Sequence, residues 1–174
     1  MPASEQSRFG GLARRYNFIF NPYPDQRISR CPFCERKTGQ RKVPLLIHID
    51  PWHLVALNYT CRYCSECDLL IAHKHEIEHL LTAMFRQRAP MVIGNDYLVM
   101  GTMERQAWRE GQMRPKSVEE MWAHIADFRT YYQELRMTRP GWYGPGQEPP
   151  VMEPPPSQEW IKSEQDRRVR QERR

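Results

Sequence analysis

A chain of 174 residues with 40% apolar residues, 15 prolines and a net charge of +5 suits one modest domain with extensions. No apolar run approaches the ~20 residues of a membrane span, and Phe18-Ile19-Phe20 is too short for a signal-peptide core, so a soluble, cytoplasmic protein is expected. The five cysteines are odd in number and fall in two clusters, which argues against a disulfide framework and for reduced thiolates.

Residues 1–15 are small, polar and Arg-bearing, with Gly10-Gly11, and are expected to form a flexible arm. Residues 16–20 read as a short strand, followed by a turn at 21–25. Residues 42–49 and 54–59 are strand-like on either side of the turn residues Asp50, Pro51 and Trp52. Leu45, Ile47 and Ile49 point one way and Leu46 the other, so this hairpin is apolar on both faces and requires cover on both. Asp68 to Ile71 looks like a third strand. From about His75, the residues Ile77, Leu80, Leu81, Met84 and Phe85 recur at helical spacing and supply cover for one face.

Beyond Pro90, residues 97–100 look like a further strand, with a helical turn around Trp108. Ser117 and Glu120 fit a capping box, and the stripe of Met121, Trp122, Ile125, Phe128, Tyr132 and Leu135 predicts a helix over 117–137. From Arg139 the composition changes, with seven prolines in residues 140–156. Residues 157–174 are highly charged, with Trp160 as the one large anchor and an Arg cluster at the end, and read as a disordered tail or a lone helix.

Chemistry concentrates in the cysteines. Cys31-Pro-Phe-Cys34 is one Cys-x-x-Cys pair; after 26 intervening residues Cys61-Arg-Tyr-Cys64-Ser-Glu-Cys67 holds a second pair in either of two registers. A two-residue spacer lets both sulfurs of a tight turn face one ion, and a hairpin brings two such turns together, as tetrahedral Zn²⁺ requires. Cys31 and Cys34 are common to both registers. Their partners are Cys64 and Cys67, or Cys61 and Cys64. The first pairing is favoured because Asp68, next after Cys67, tolerates the left-handed backbone often needed there. Cys61 would then be a small buried residue or a substitute ligand.

Cys31-Pro-Phe-Cys34 with Cys64-Ser-Glu-Cys67 across a hairpin resembles the zinc-ribbon superfamily over residues 28–72. Glu35 and Asp68 stand where that superfamily often has glycine. The resemblance implies one structural Zn²⁺ and a role in nucleic-acid machines, in protein contacts or as an insert in an enzyme. Residues 60–73 also look like small bacterial proteins, a resemblance that implies no particular activity.

Two further constellations compete for the function. His75-Glu76-Ile77-Glu78-His79 matches His-Glu-x-x-His, in which His75 and His79 bind a second zinc and Glu76 acts as general base. A resemblance to zincin proteases would require a third ligand, for which Glu104 is the candidate. At about 100° per residue, however, both histidines lie opposite the apolar stripe of their helix, which makes a solvated polar face the plainer reading. His48, His53 and His73 with Asn58 raise a nuclease of the His-Asn-His type, without that family's spacing. Arg14, Arg15 and Tyr16, then Arg41 with Lys42, then Arg62 with Tyr63, interleave basic and aromatic residues in a way that suits RNA or single-stranded DNA.

The expected molecule is thus α+β: a zinc ribbon of three to four short antiparallel strands packed by two helices. Its parts are an arm at 1–15, the ribbon with its packing helix at 16–90, a helical extension at 91–138 and a tail at 139–174. The expected function is a small zinc-binding accessory or adaptor module that contacts nucleic acid, or a protein assembly through its tail. A His75/Glu76/His79 metallohydrolase is the alternative.

Overall fold

The long apolar stretches on either side of Asp50 and Pro51 set the architecture. In the computed structural model, which describes residues 8–157, 159 and 160, they form β2 (Gly39–Ile49) and β3 (His53–Cys64). These pair antiparallel without a break, from Gly39 opposite Tyr63 to Ile49 opposite His53. Being apolar on both faces, the pair becomes the middle of a larger sheet. β4 (Leu69–His73) joins β3 antiparallel, and β1 (Asn17–Asn21) lies parallel to β4. β5 (Tyr97–Met103) adds antiparallel to β2 on the other side.

β6 (Ile125–Asp127) and β7 (Thr130–Glu134) close the two ends, giving the order β6-β5-β2-β3-β4-β1-β7 in one curled, mixed, seven-stranded sheet. The expected small ribbon of three to four strands packed by two helices is therefore corrected. β2 and β3 are 11 and 12 residues long, so they run far past the cysteine turns and expose backbone that further strands pair with.

The second expected helix is the main error. Ser117 does cap a helix, its hydroxyl accepting from the Glu120 amide at 3.2 Å, but α3 ends after Val118–Trp122. β6 and β7 follow instead of a helix to 137. Ile125, Thr130, Tyr131 and Tyr132 are β-branched or aromatic, and the free edges of β5 and β1 give them strand partners. Tyr131 stacks on Phe18 on one face of the sheet, while its neighbour Tyr132 meets Phe33 on the other, which is strand alternation.

The two faces carry separate cores. On one, Phe18, Phe20, Leu45, Ile47, Ile49 and Leu70 pack against Ile77, Leu81 and Phe85 of α1 (Lys74–Phe85). Leu80 and Met84 of the expected stripe are exposed, and Glu78 and Thr82 are buried in their place. The opposite face is divided. Near the cysteines it holds Ile19, Ile28, Leu69 and Ile71; farther along, Leu46, Met103 and Ile125 pack with Ala107 of α2 (Arg105–Met113).

Both ends of the described chain are tied to this sheet. Residues 9–15, placed in the expected flexible arm, run beside β6: the amides of Leu12 and Arg15 donate to Ile125 and Asp127 carbonyls, and those of Phe9 and Gly10 to the Asp127 carboxylate. The proline-rich segment doubles back, with Arg139 and Met152 amides donating to Pro150 and Met137 carbonyls. Trp160 is only 6% exposed, inserted in the α1-side core. The Arg cluster beyond it lies outside the described residues. Among the described residues no helix is long and apolar enough to cross a membrane.

Candidate metal centre

Two turns, zipped by backbone hydrogen bonds, carry the cysteines. In the first, the Cys31 amide donates to the Arg36 carbonyl at 2.8 Å and the Glu35 amide returns to the Cys31 carbonyl at 2.9 Å. Thr38 closes its base, its hydroxyl donating to the Ile28 carbonyl at 2.6 Å. In the second, β3 ends at Cys64 and β4 begins at Leu69. Glu35 and Asp68, each next after the last cysteine of its turn, adopt left-handed backbone with φ of 63° and 50°. Asp68 is held there on three sides: its carbonyl accepts from the Asn17 amide, and its carboxylate from the Tyr63 hydroxyl at 2.6 Å and from Arg129.

The result is a group of four thiols, Cys31, Cys34, Cys64 and Cys67, whose sulfurs all lie within 4.8 Å of one another. Cys31 and Cys67 are 3.8 Å apart and Cys34 and Cys64 are 3.4 Å apart. A tetrahedral ion with metal–sulfur bonds of about 2.3 Å needs sulfurs roughly 3.8 Å apart, so the four cysteines can hold a metal. Cys31 and Cys64 are buried against Ile19, Ile28, Leu69 and Ile71, while Cys34 and Cys67 are half-exposed. The Phe33 amide donates to the Cys31 sulfur at 3.4 Å.

A hydrogen bond from the Arg36 backbone holds the Cys34 thiol below its usual pKa, and burial pushes Cys67 up to about 12 and Cys64 upward as well. Bringing four thiolates together without a cation is unfavourable, and a bound divalent ion supplies the missing charge. Among the described residues this is the one group of three or more His, Cys, Asp or Glu placed to hold a metal.

Cys61 takes no part. It sits three residues before Cys64 on the same strand, so the two side chains fall on opposite faces. Cys61 is wholly buried in the α1-side core, where the lack of solvation pushes its thiol pKa up. That parity was present in the sequence: if the strand runs through to Cys64, the Cys61/Cys64 register cannot supply two ligands to one ion.

Of the remaining sequence candidates, His75, Glu76 and His79 line one cavity of about 340 Å³ with Leu80, without a third ligand beside them among the described residues. Glu76 is exposed and accepts from the Tyr59 hydroxyl; His79 is exposed and pairs with Glu159 at 2.6 Å; His75 is half-buried. Glu104 stands at the N-terminal boundary of α2 without a side-chain capping bond and faces His124 at 3.4 Å, so the three-ligand set of a zincin is not assembled. His48 lies beside Asp50, His53 packs edge-on against Phe85, and His73 contacts Asn21 and Gln26, which separates the nuclease candidates.

Four of the six expected nucleic-acid contacts do converge. Arg15, Tyr16, Arg41 and Lys42 line a cavity of about 430 Å³ together with Thr102 and Arg105. Tyr16 is buried, its ring covered by the Arg15 and Arg41 guanidinium groups at 4.5 and 5.9 Å, so it presents no face to a base. Arg41 also lies 3.9 Å over the Tyr63 ring. Arg14, half-buried, is not in that lining, and Arg62 is spent on the Thr38 carbonyl and hydroxyl at 2.7 and 2.9 Å. Arg105 was missed because nothing in the sequence brings α2 beside β2; its guanidinium donates to the Lys42 carbonyl at 3.3 Å. No protein-family profile, curated protein or solved structure matches this chain.

Proposed function

We propose that the chain is a zinc-stapled binding module, in which one Zn²⁺ on Cys31, Cys34, Cys64 and Cys67 locks the two turns at one end of the sheet and a basic cavity takes a nucleic-acid backbone. The observation that carries the metal half is the set of four sulfurs at tetrahedral spacing against an apolar wall. Zinc suits four thiolates, and a reduced set suits the cytoplasm. The turns keep the knuckle chemistry of a zinc ribbon, here built into a larger sheet.

The binding half rests on the cavity of Arg15, Arg41, Lys42 and Arg105, where four cations face the single carboxylate of Glu104. With the Tyr16 ring covered, this surface reads phosphates rather than bases. RNA or single-stranded DNA is bound through its backbone, with little dependence on sequence. The proline-rich segment, expected to dock on another protein, instead packs on its own sheet as far as Trp160, which favours the nucleic-acid reading over a tail-borne adaptor.

The test combines metal analysis with fluorescence anisotropy on a labelled single-stranded RNA. One zinc per chain is expected, lost in the Cys31→Ser/Cys34→Ser variant. RNA affinity should fall as salt rises, with a logarithmic slope of about 0.7 per phosphate contacted, and Arg15→Ala with Arg105→Ala should flatten that slope. A metal-free protein would remove the first half; affinity indifferent to both arginines would remove the second.

A further inference from the structure

The helix motif that reads His75-Glu76-Ile77-Glu78-His79 turns one of its carboxylates inward. Glu78 is 3% exposed, deeper than any other charged side chain among the described residues. Its Oε1 accepts from the Tyr97 hydroxyl at 2.9 Å, and the Lys74 ammonium stands 4.0 Å from the same oxygen. Its Oε2 has no partner. Asn95 is equally buried: its Nδ2 donates to the Asp50 carbonyl at 2.7 Å, its own carbonyl accepts from the Trp160 indole at 2.8 Å, and its Oδ1 has no partner.

Glu78 and Asn95 line one cavity, of about 620 Å³, walled by Phe20, Tyr97, Tyr131 and Trp160. That volume lies within the roughly 300–1,000 Å³ of small-ligand sites. Both unpartnered atoms are acceptors, and an unmatched buried acceptor is costly, so the site lacks donors rather than acceptors. Around the cavity the carboxylates of Glu78, Glu134 and Asp96 face the cations of Lys74 and Arg136. Lys74 is drawn to Glu134 at 2.5 Å, which leaves Glu78 with only a distant counter-charge. The phenols of Tyr97 and Tyr131 cannot supply the missing counter-charge, since a phenol is neutral or anionic but never cationic. Among the described residues these carboxylates do not form a group placed to hold a metal ion, which favours an organic cation.

We propose that this cavity is a binding site for a small organic cation, an amine or guanidine, whose N–H groups are received by Glu78 and Asn95 and whose charge lies among the aromatic rings. Aromatic faces attract such cations, and a buried carboxylate fixes their orientation. The site is separate from the cysteine cluster and from the basic cavity; of the walls named, Trp160 comes from the returning tail, so an occupied site is read directly in its indole signal.

The probes are agmatine and phenethylamine, with butylurea as the uncharged counterpart, titrated into the zinc-replete full chain by calorimetry and followed by ¹⁵N NMR. At least one amine should bind with a Kd below about 1 mM, and butylurea at least about tenfold more weakly. The Trp160 indole and the Gly94 amide should shift. Glu78→Gln should weaken the amine by about tenfold or more, as expected for losing a charged acceptor, while Glu119→Gln on the remote α3 should not. If Glu78→Gln does not fold, the wild-type shifts decide. No amine binding at about 10 mM, shifts away from Trp160 and Gly94, butylurea binding as tightly, or a folded Glu78→Gln that binds equally well would each overturn the proposal.

Discussion

Cys61 and Cys64 lie three residues apart on β3, and their substitution should separate two kinds of cysteine. Cys64→Ser removes a sulfur from the four-thiol group and should abolish metal retention. Cys61→Ser should keep the metal and cost about 1–3 kcal/mol, because a hydroxyl replaces a thiol in an apolar core. Metal content with urea denaturation reads both, and loss of metal in Cys61→Ser would reverse the ligand assignment. The left-handed positions give a second contrast. Glu35, exposed at φ 63°, should gain up to about 1 kcal/mol on Glu35→Gly, since only backbone strain is removed. Asp68→Gly should show no such gain, because its carboxylate receives Tyr63 and Arg129. The need for left-handed backbone after Cys67 was legible from residue type; at Glu35 it was legible only through the zinc-ribbon resemblance, because glutamate itself carries no such signal.

At the level of elements, local patterns held where one partner decided the outcome and failed where two competed. The alternation of Leu45, Leu46, Ile47 and Ile49 placed those side chains on their observed faces, since burial on both sides leaves a strand no other register. The stripe from Met121 to Leu135 also satisfied helical spacing, yet only α3 is helical. Spacing records which residues seek burial; it does not record that β5 and β1 offer open edges. One further cue sits in Gly101, opposite Asp127, where a Cβ would lie 2.2 Å from the Ala126 carbonyl oxygen. The approach of β6 to β5 therefore demands glycine. Gly101→Ala should cost about 1–3 kcal/mol and raise hydrogen exchange at β6 amides while leaving α1 protected. Unchanged β6 protection would mean that this pairing does not depend on the close approach.

Across the whole molecule, the sequence singled out Trp160 as an anchor but offered no hint of what it anchors to, because its site is assembled from residues far away in the chain. Asn95 receives its indole N–H, and Tyr97 meets its ring edge-on at 5.8 Å. Between the sheet and that indole the chain is held by Tyr23, whose hydroxyl donates to the Met152 carbonyl at 2.7 Å and accepts from the Met137 amide at 3.0 Å. The described part of the segment between 139 and 160 thus acts as a strap that carries one large aromatic into the α1-side core. Trp160→Ala should cost about 3–5 kcal/mol, the usual loss for truncating a buried aromatic. Ending the chain at residue 138 should cost at least as much, since the Met152 contacts go with it. Neither change should release metal, because Cys31, Cys34, Cys64 and Cys67 stand on the opposite face of the sheet, in a core that Trp160 does not enter. Urea midpoints measured alongside zinc content separate these effects. A Trp160→Ala midpoint equal to that of the wild type would mean that the strap rests on the surface and contributes nothing to the core; a fall in midpoint with full zinc retention would establish that the two faces are stabilised independently.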